Sequence, residues 1–227
     1  MKRALTICAA LTLALPFPAA ATCKLALALG IDISSSVDPT EYRLQLDGLA
    51  DALESEGVIE AIFQPEGAWI AVAAYEWSGY PQQDVIAEWA ELRSVQDVYR
   101  FANRLRAHPR PYWDFATAIG VSLEYGAQLM ARAPTCARRV IDLSGDGVNN
   151  NGPEPAHFYS LGLLDGITVN GLVIRGADPD PVPYYQSHVI FGPEAFIAVA
   201  DDFHDYRRAM QGKLIREIST EMILGKR

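Results

Sequence analysis

The chain has 227 residues, with 19 Lys and Arg against 28 Asp and Glu, for a formal net charge of −9. That acidic balance argues against nucleic acid and anionic lipid surfaces as partners. The length suits one domain with a full hydrophobic core.

Residues 1–21 read as an export signal. Lys2 and Arg3 precede an apolar stretch from Ala4 to Leu15, and Pro16 and Pro18 lead into Ala19-Ala20-Ala21, a small-residue cleavage pattern. The mature domain is then expected to span residues 22–227, in a periplasm or outside the cell. A lipid anchor on Cys23 is the weaker reading, because Ala20 and Thr22 suit a lipid-attachment box poorly. No later segment is long enough to cross a bilayer as a helix.

The mature part alternates strand-like and helix-like segments. Leu25 to Ile31 is an uncharged run suited to a strand buried on both faces. Pro39, Thr40 and Glu41 then open a helix with Tyr42, Leu46, Leu49 and Leu53 on one face. Ala68 to Trp77 is a second buried strand, and Asp84 to Trp89 returns from the Ser78–Pro81 turn as an antiparallel edge strand. Val95, Val98, Phe101, Ala102 and Leu105 have helical spacing, ended by Pro109 and Pro111. The next helix carries Phe115, Ile119, Ser122, Leu123, Gly126 and Leu129.

Arg138 to Gly147 gives a fourth strand ending in an Asp-Gly turn, followed by the polar loop Asn149–Pro153. A helix over roughly Glu154 to Asp165 and a fifth strand from Ile167 to Ile174 come next. A Pro/Asp loop over 178–183, a short sixth strand from Phe196 to Ala200 and a last helix complete the chain. Asp202 is expected to cap that helix, with Phe203, Tyr206, Met210, Leu214 and Ile218 on one face. This order predicts an α/β domain: a mostly parallel six-stranded sheet with one antiparallel edge strand and helices on both faces.

Cys8 falls in the leader, so Cys23 and Cys136 remain. Each stands shortly before an apolar strand, nine residues ahead of Asp32 and ten ahead of Asp146. If those strands are parallel neighbours the two cysteines meet at one end, and an oxidising compartment permits a disulfide. The alternative is two unpaired small core residues.

Oxygen donors gather where the sheet should present its C-terminal edge, the place ligands bind in open parallel sheets. Asp32, Ser34 and Ser36 follow the first strand, Thr117 lies in the loop before a helix, and Asp146 follows the fourth strand. Hard oxygens at alternating positions suit a hard divalent cation. Taken singly, Asp32, Ser34 and Thr117 also fit helix caps, and Asp146-Gly147 fits an ordinary turn.

Together these residues resemble the metal-ion-dependent adhesion site of von Willebrand factor type A domains, a D-x-S-x-S motif joined by a Thr and an Asp from two further loops. The segments WIAVAAYEWSG, VIDLSGDGVNNNG and ITVNGLVI look most like a bacterial group of exported domains of that type with no assigned function. The resemblance implies a three-layer, Rossmann-like fold over nearly the whole mature chain. It implies a cation, Mg²⁺ or Mn²⁺ with Ca²⁺ a further option, held by Asp32, Ser34, Ser36, Thr117 and Asp146. It also implies a protein partner offering a Glu or Asp carboxylate, with no catalysis. This chain departs from the usual pattern in T-A-I-G, with Ile119 where many relatives have a second Thr, and in S-G-D-G around Asp146.

Two other functions compete. A metal-dependent hydrolase of phosphates or esters would use such a cation, but no His, Cys or second carboxylate is spaced beside Asp32 as base or nucleophile. A structural assembly domain would leave the site empty. Nucleotide binding lacks both G-x-G-x-x-G and a P-loop. Asp114 reads as a helix cap, Trp77, Tyr80 and Trp113 as an aromatic rim or packing, and Asn149–Asn151 as a recognition loop or polar turn. His108, His157, His188 and His204 show no ligand spacing.

Overall fold

The computed structural model describes residues 22–224, so the expected leader, residues 1–21, lies outside the described residues. The elements are β1 (Thr22–Asp32), α1 (Pro39–Leu53), α2 (Glu56–Phe63), β2 (Ala68–Trp77), β3 (Gln83–Leu92), α3 (Val95–Ala107) and α4 (Ile119–Met130). They continue with β4 (Arg138–Gly145), α5 (Pro155–Ser160), β5 (Thr168–Ile174), α6 (Val182–Tyr184) running into a π turn at Tyr185–Val189, β6 (Ile197–Ala200) and α7 (Tyr206–Leu224). The sheet runs β3-β2-β1-β4-β5-β6, and only β3 is antiparallel to its neighbour. The order reverses at β1, so the crevice above the ends of β1 and β4 is the natural ligand position.

Period-two alternation assigns the faces of the central strand. Leu25, Leu27, Leu29 and Ile31 point into the layer built by α1, α2, α3 and α7. Ala26 and Ala28 point the other way, against α4, α5 and the π turn. β2 is buried along its whole length, which is why its sequence reads as an apolar run broken only by Glu76 instead of alternating.

α1 starts where Pro39 and Glu41 predicted, but its cap is Asp38. Asp38 accepts from Thr40 N at 2.7 Å and Glu41 N at 2.8 Å, and Glu41 accepts from Asp38 N in return. Asp32 and Ser34 are thereby released from the capping role. α2 was not expected. Its buried residues are only Val58, Ala61 and Ile62, too few to give a clear period. The expected helix over 154–165 is shortened to the six-residue α5, because Gly162, just past its C-cap Leu161, takes a positive φ of 70°. The last helix begins at Tyr206, with Asp202 accepting from Asp205 N at 2.9 Å in the turn before it.

An ionic cluster is buried beneath α7. Lys213 Nζ lies 2.6 Å from Asp142 Oδ1 on β4 and 2.5 Å from Glu217 Oε1, all fully inaccessible. Asn170 on β5 donates to Glu217 Oε1 at 2.8 Å. Asp142 Oδ2 and Glu217 Oε2 have no hydrogen-bond partner. Two carboxyl groups thus share one ammonium, and burial, reinforced by Glu217, pushes the Asp142 carboxyl up to about 7.

Cys23 and Cys136 form a disulfide with Cα atoms 4.6 Å apart, at the end of the sheet opposite the donors. It spans 113 positions of sequence, and the pairing of Leu25 with Arg138 sets the two chains side by side. Reduction is expected to cost about 4–5 kcal/mol on the chain-entropy account. Urea denaturation with and without reductant checks this; an unchanged midpoint would refute it.

Candidate metal centre

Asp32 is the last residue of β1, and Asp146 is the first after β4. Because β1 and β4 are parallel neighbours in the register Ile31–Ser144, both carboxyls emerge at the same edge. The loop after β1 turns so that Ser34 N donates to Asp32 Oδ1 at 2.7 Å. Ser34 Oγ and Ser36 Oγ lie 3.1 Å apart, and Ser36 Oγ donates to Asp146 Oδ1 at 2.7 Å. A chain of oxygen atoms therefore runs from Ser34 through Ser36 to Asp146.

Thr117 is buried two residues before α4, with its side chain toward the Asp146 loop: a methyl group added to Gly147 would lie 3.7 Å from Thr117 Oγ1. Its N–H donates to Asn150 Oδ1 at 2.8 Å, and its carbonyl accepts from Asn150 N and Asn151 N. Asn149 Oδ1 accepts from Gly120 N at 3.2 Å, serving the start of α4. The Asn run is thus a clamp that fixes the Thr117 loop to the Asp146 loop. Neither Asp114 nor Thr117 caps α4, whose N-cap position is Ala118 without a side-chain bond. Asp114 instead holds a positive φ of 61° within the loop.

Asp32 is fully buried, and its Oδ2 has no hydrogen-bond partner. Burial, followed by the nearby Asp146 carboxylate, pushes its carboxyl up to about 8, against the opposing pull of the Ser34 hydrogen bonds. Burial also raises Asp146. Two desolvated carboxyls of like charge and an unpaired oxygen are a site short of positive charge. The donor set, two carboxyls and three hydroxyls, is chemically that of a hard cation. The residues fit a divalent ion.

One buried residue beneath this edge, Tyr185, is not marked by the sequence. Tyr185, on the π turn, places its hydroxyl where a methyl group on Gly145 would meet it at 2.4 Å, with Asp32 Oδ2 at 2.9 Å and the Trp77 ring at 3.2 Å. Only glycine fits at 145. Trp77 is therefore floor, not rim, whereas Tyr80 and Trp113 are 66% and 50% exposed. No periodicity marks Tyr185, since it sits in a loop that read as irregular.

Beside the donors opens a cavity of about 590 Å³. Ser36, Asp38 and Asp146 line one side, and Arg175, Asp202 and His204 the other. Of the remaining histidines, His108 lies 3.2 Å from Glu76 Oε2.

The fold is that of von Willebrand factor type A domains. The chain belongs to the family described as Protein of unknown function (DUF1194), whose model matches residues 22–222. No curated protein matches it. Among solved structures, it is similar to proximal thread matrix protein 1 from the mussel byssus with a zinc-occupied MIDAS motif: 17% identity, TM-score 0.60, 88% of this chain and 47% of that one. It is also similar to a von Willebrand factor type A protein from Catenulispora acidiphila, at 12% identity and TM-score 0.60, over 87% of this chain and 43% of that one. The PilB minor pilin from Streptococcus sanguinis matches at 13% identity and TM-score 0.64, over 93% and 65%. The chain thus spans less than two thirds of each of these structures.

Proposed function

We propose that this chain is an exported, non-enzymatic binding module. A divalent cation, Mg²⁺ or Mn²⁺, is held by Asp32, Ser34, Ser36, Thr117 and Asp146. When bound, the ion supplies an electrophilic anchor for a carboxylate of a partner protein. The observation that carries this reading is the unpaired, buried Asp32 Oδ2 facing a second raised carboxyl across two serine hydroxyls. The cavity beside Ser36 and Asp146 leaves room for an incoming acidic side chain. A metal-occupied MIDAS in a structural neighbour supports a cation in general. The disulfide suits an oxidising compartment, and no helix among the described residues is long and apolar enough to cross a membrane.

Calorimetry on EDTA-stripped protein tests the reading. The native chain is expected to bind Mn²⁺ or Mg²⁺ with one site, and Asp32→Ala to bind neither. Absence of binding by the native chain, or equal binding by the variant, would refute it.

A further inference from the structure

The loop that carries the donors is gripped by an arginine from another loop. Arg110 Nη1 donates to Val37 O at 2.6 Å, and Nη2 donates to Ile33 O at 2.8 Å and Ser34 O at 3.2 Å. Its Nε donates to Tyr112 O at 2.8 Å, within its own loop. The guanidinium is half-buried, and it packs 4.5 Å from the Trp113 ring centre and 5.7 Å from that of Tyr42. One planar cation thus satisfies three carbonyls of the Ile33–Val37 segment and ties them to the chain that runs on to Thr117. A second tie follows five residues later, where Ser35 N donates to Phe115 O at 2.8 Å.

These bonds join others that serve the backbone of the donor loop. Ile33 N is taken by Trp77 O, Ser34 N by Asp32, Val37 N by Ser34 O, and Asp32 O accepts from Gln45 at 3.0 Å. Without Arg110, the carbonyls of Ile33 and Val37 would lose their partner and Ser34 O would keep only Val37 N. The donors themselves come from both segments: Ser34 and Ser36 from one, Thr117 from the other.

We infer that Arg110 is a positioning residue of this centre, holding the Asp32–Ser36 loop and the Thr117 loop in one register so that hydroxyls from both converge on the same point. The inference rests on the cation reading proposed above for the function of the site. An outer group that orients ligands in this way typically supports 10- to 100-fold of metal affinity.

The test compares wild type, Arg110→Ala, Arg110→Lys, Thr117→Ala and the Arg110→Ala/Thr117→Ala pair. Mn²⁺ affinity is read by calorimetry, and amide exchange at Ser35 is read in EDTA. Arg110→Ala is expected to weaken Mn²⁺ by about 10-fold or more. Arg110→Lys, with one ammonium for a fork of donors, falls between, and serves alone if the alanine variant does not fold. Thr117→Ala should cost much less in the Arg110→Ala background than in wild type, because the threonine is already out of place. A residue acting only on overall stability would give additive effects. Unchanged affinity, tighter binding through loss of the positive charge, or full additivity would overturn the inference. If wild type itself binds no Mn²⁺, the cation reading fails. The exchange arm still decides the grip: faster Ser35 exchange in the variant upholds it, and equal exchange removes it.

Discussion

Asp32→Asn is expected to raise the thermal midpoint of the metal-free protein by about 5 °C while removing all stabilisation by added Mg²⁺ or Mn²⁺. The amide keeps an oxygen for Ser34 N and removes a charge that burial and Asp146 disfavour. Because the folded carboxyl is pushed up to about 8, the native state binds more protons than the unfolded chain between about pH 4 and pH 8. Metal-free stability therefore falls as pH rises through that window. Loss of this share of the slope is worth about 4 kcal/mol at neutral pH; the amide's NH2, left without an acceptor where Oδ2 stands, offsets about half of it, for a net gain of about 2 kcal/mol. In the presence of cation the sign reverses, since the ion competes with the proton, and affinity rises with pH up to about 8. Scanning calorimetry in EDTA and in excess Mg²⁺ provides the measurement. A variant less stable than wild type in EDTA would show that the carboxylate is already compensated by the protein, and the argument for a cation would fall with it.

Among single substitutions, Lys213→Met is expected to cost several kcal/mol of stability. It leaves Asp142 and Glu217 facing each other in a dry core, and breaking such a buried pair costs about 3–5 kcal/mol. For a domain of this size that lowers the midpoint by roughly 10 °C. Neutralising the whole cluster, as Asp142→Asn with Lys213→Met and Glu217→Gln, is expected to recover most of the loss, because the damage comes from the unpaired charge and not from missing volume. The same cluster contributes to pH dependence in wild type. With Asp142 raised to about 7, its contribution to stability is greatest below about pH 4, falls as pH rises and levels off above about pH 7. Urea denaturation at pH 5 and pH 8 measures it. If Lys213→Met unfolded no more easily than wild type at either pH, the ammonium would have no role in the core.

The strands were legible because both faces of the sheet are covered. Leu25–Ile31 and Ala68–Trp77 are buried along their whole length, and short β-branched and aromatic-containing runs bounded by turn residues favour strands over helices. The donor residues were readable for a different cause: the end of a buried strand is fixed by its apolar run, so polar residues that follow it must lie at the edge. Elements held by tertiary contacts were not legible. α2 buries only one and a half turns of apolar side chain, and the π turn is placed by Tyr185 reaching beneath Gly145, a contact with no local signature. Arg110 was hidden by the same logic. Its bonds go to backbone carbonyls more than seventy residues away, and carbonyls carry no sequence identity. Lys213 and Glu217 look like an exposed i, i+4 pair on a helix, and only the Asp142 beneath them reveals a core position.

The cross-link between Cys23 and Cys136 sits at the base of β1 and β4, the two strands whose far ends carry Asp32 and lead into Asp146. Runs of Leu, Ala, Val and Ile offer a parallel ladder little to choose between one alignment and the next, since a shift of two residues keeps every side chain on its face. Such a shift would carry Asp146 about 7 Å along β1, out of reach of Ser36. The sulfur bridge permits one alignment alone. Its consequence is metrological: a staple at the base of two greasy strands sets the distance between two carboxyl groups at their tips.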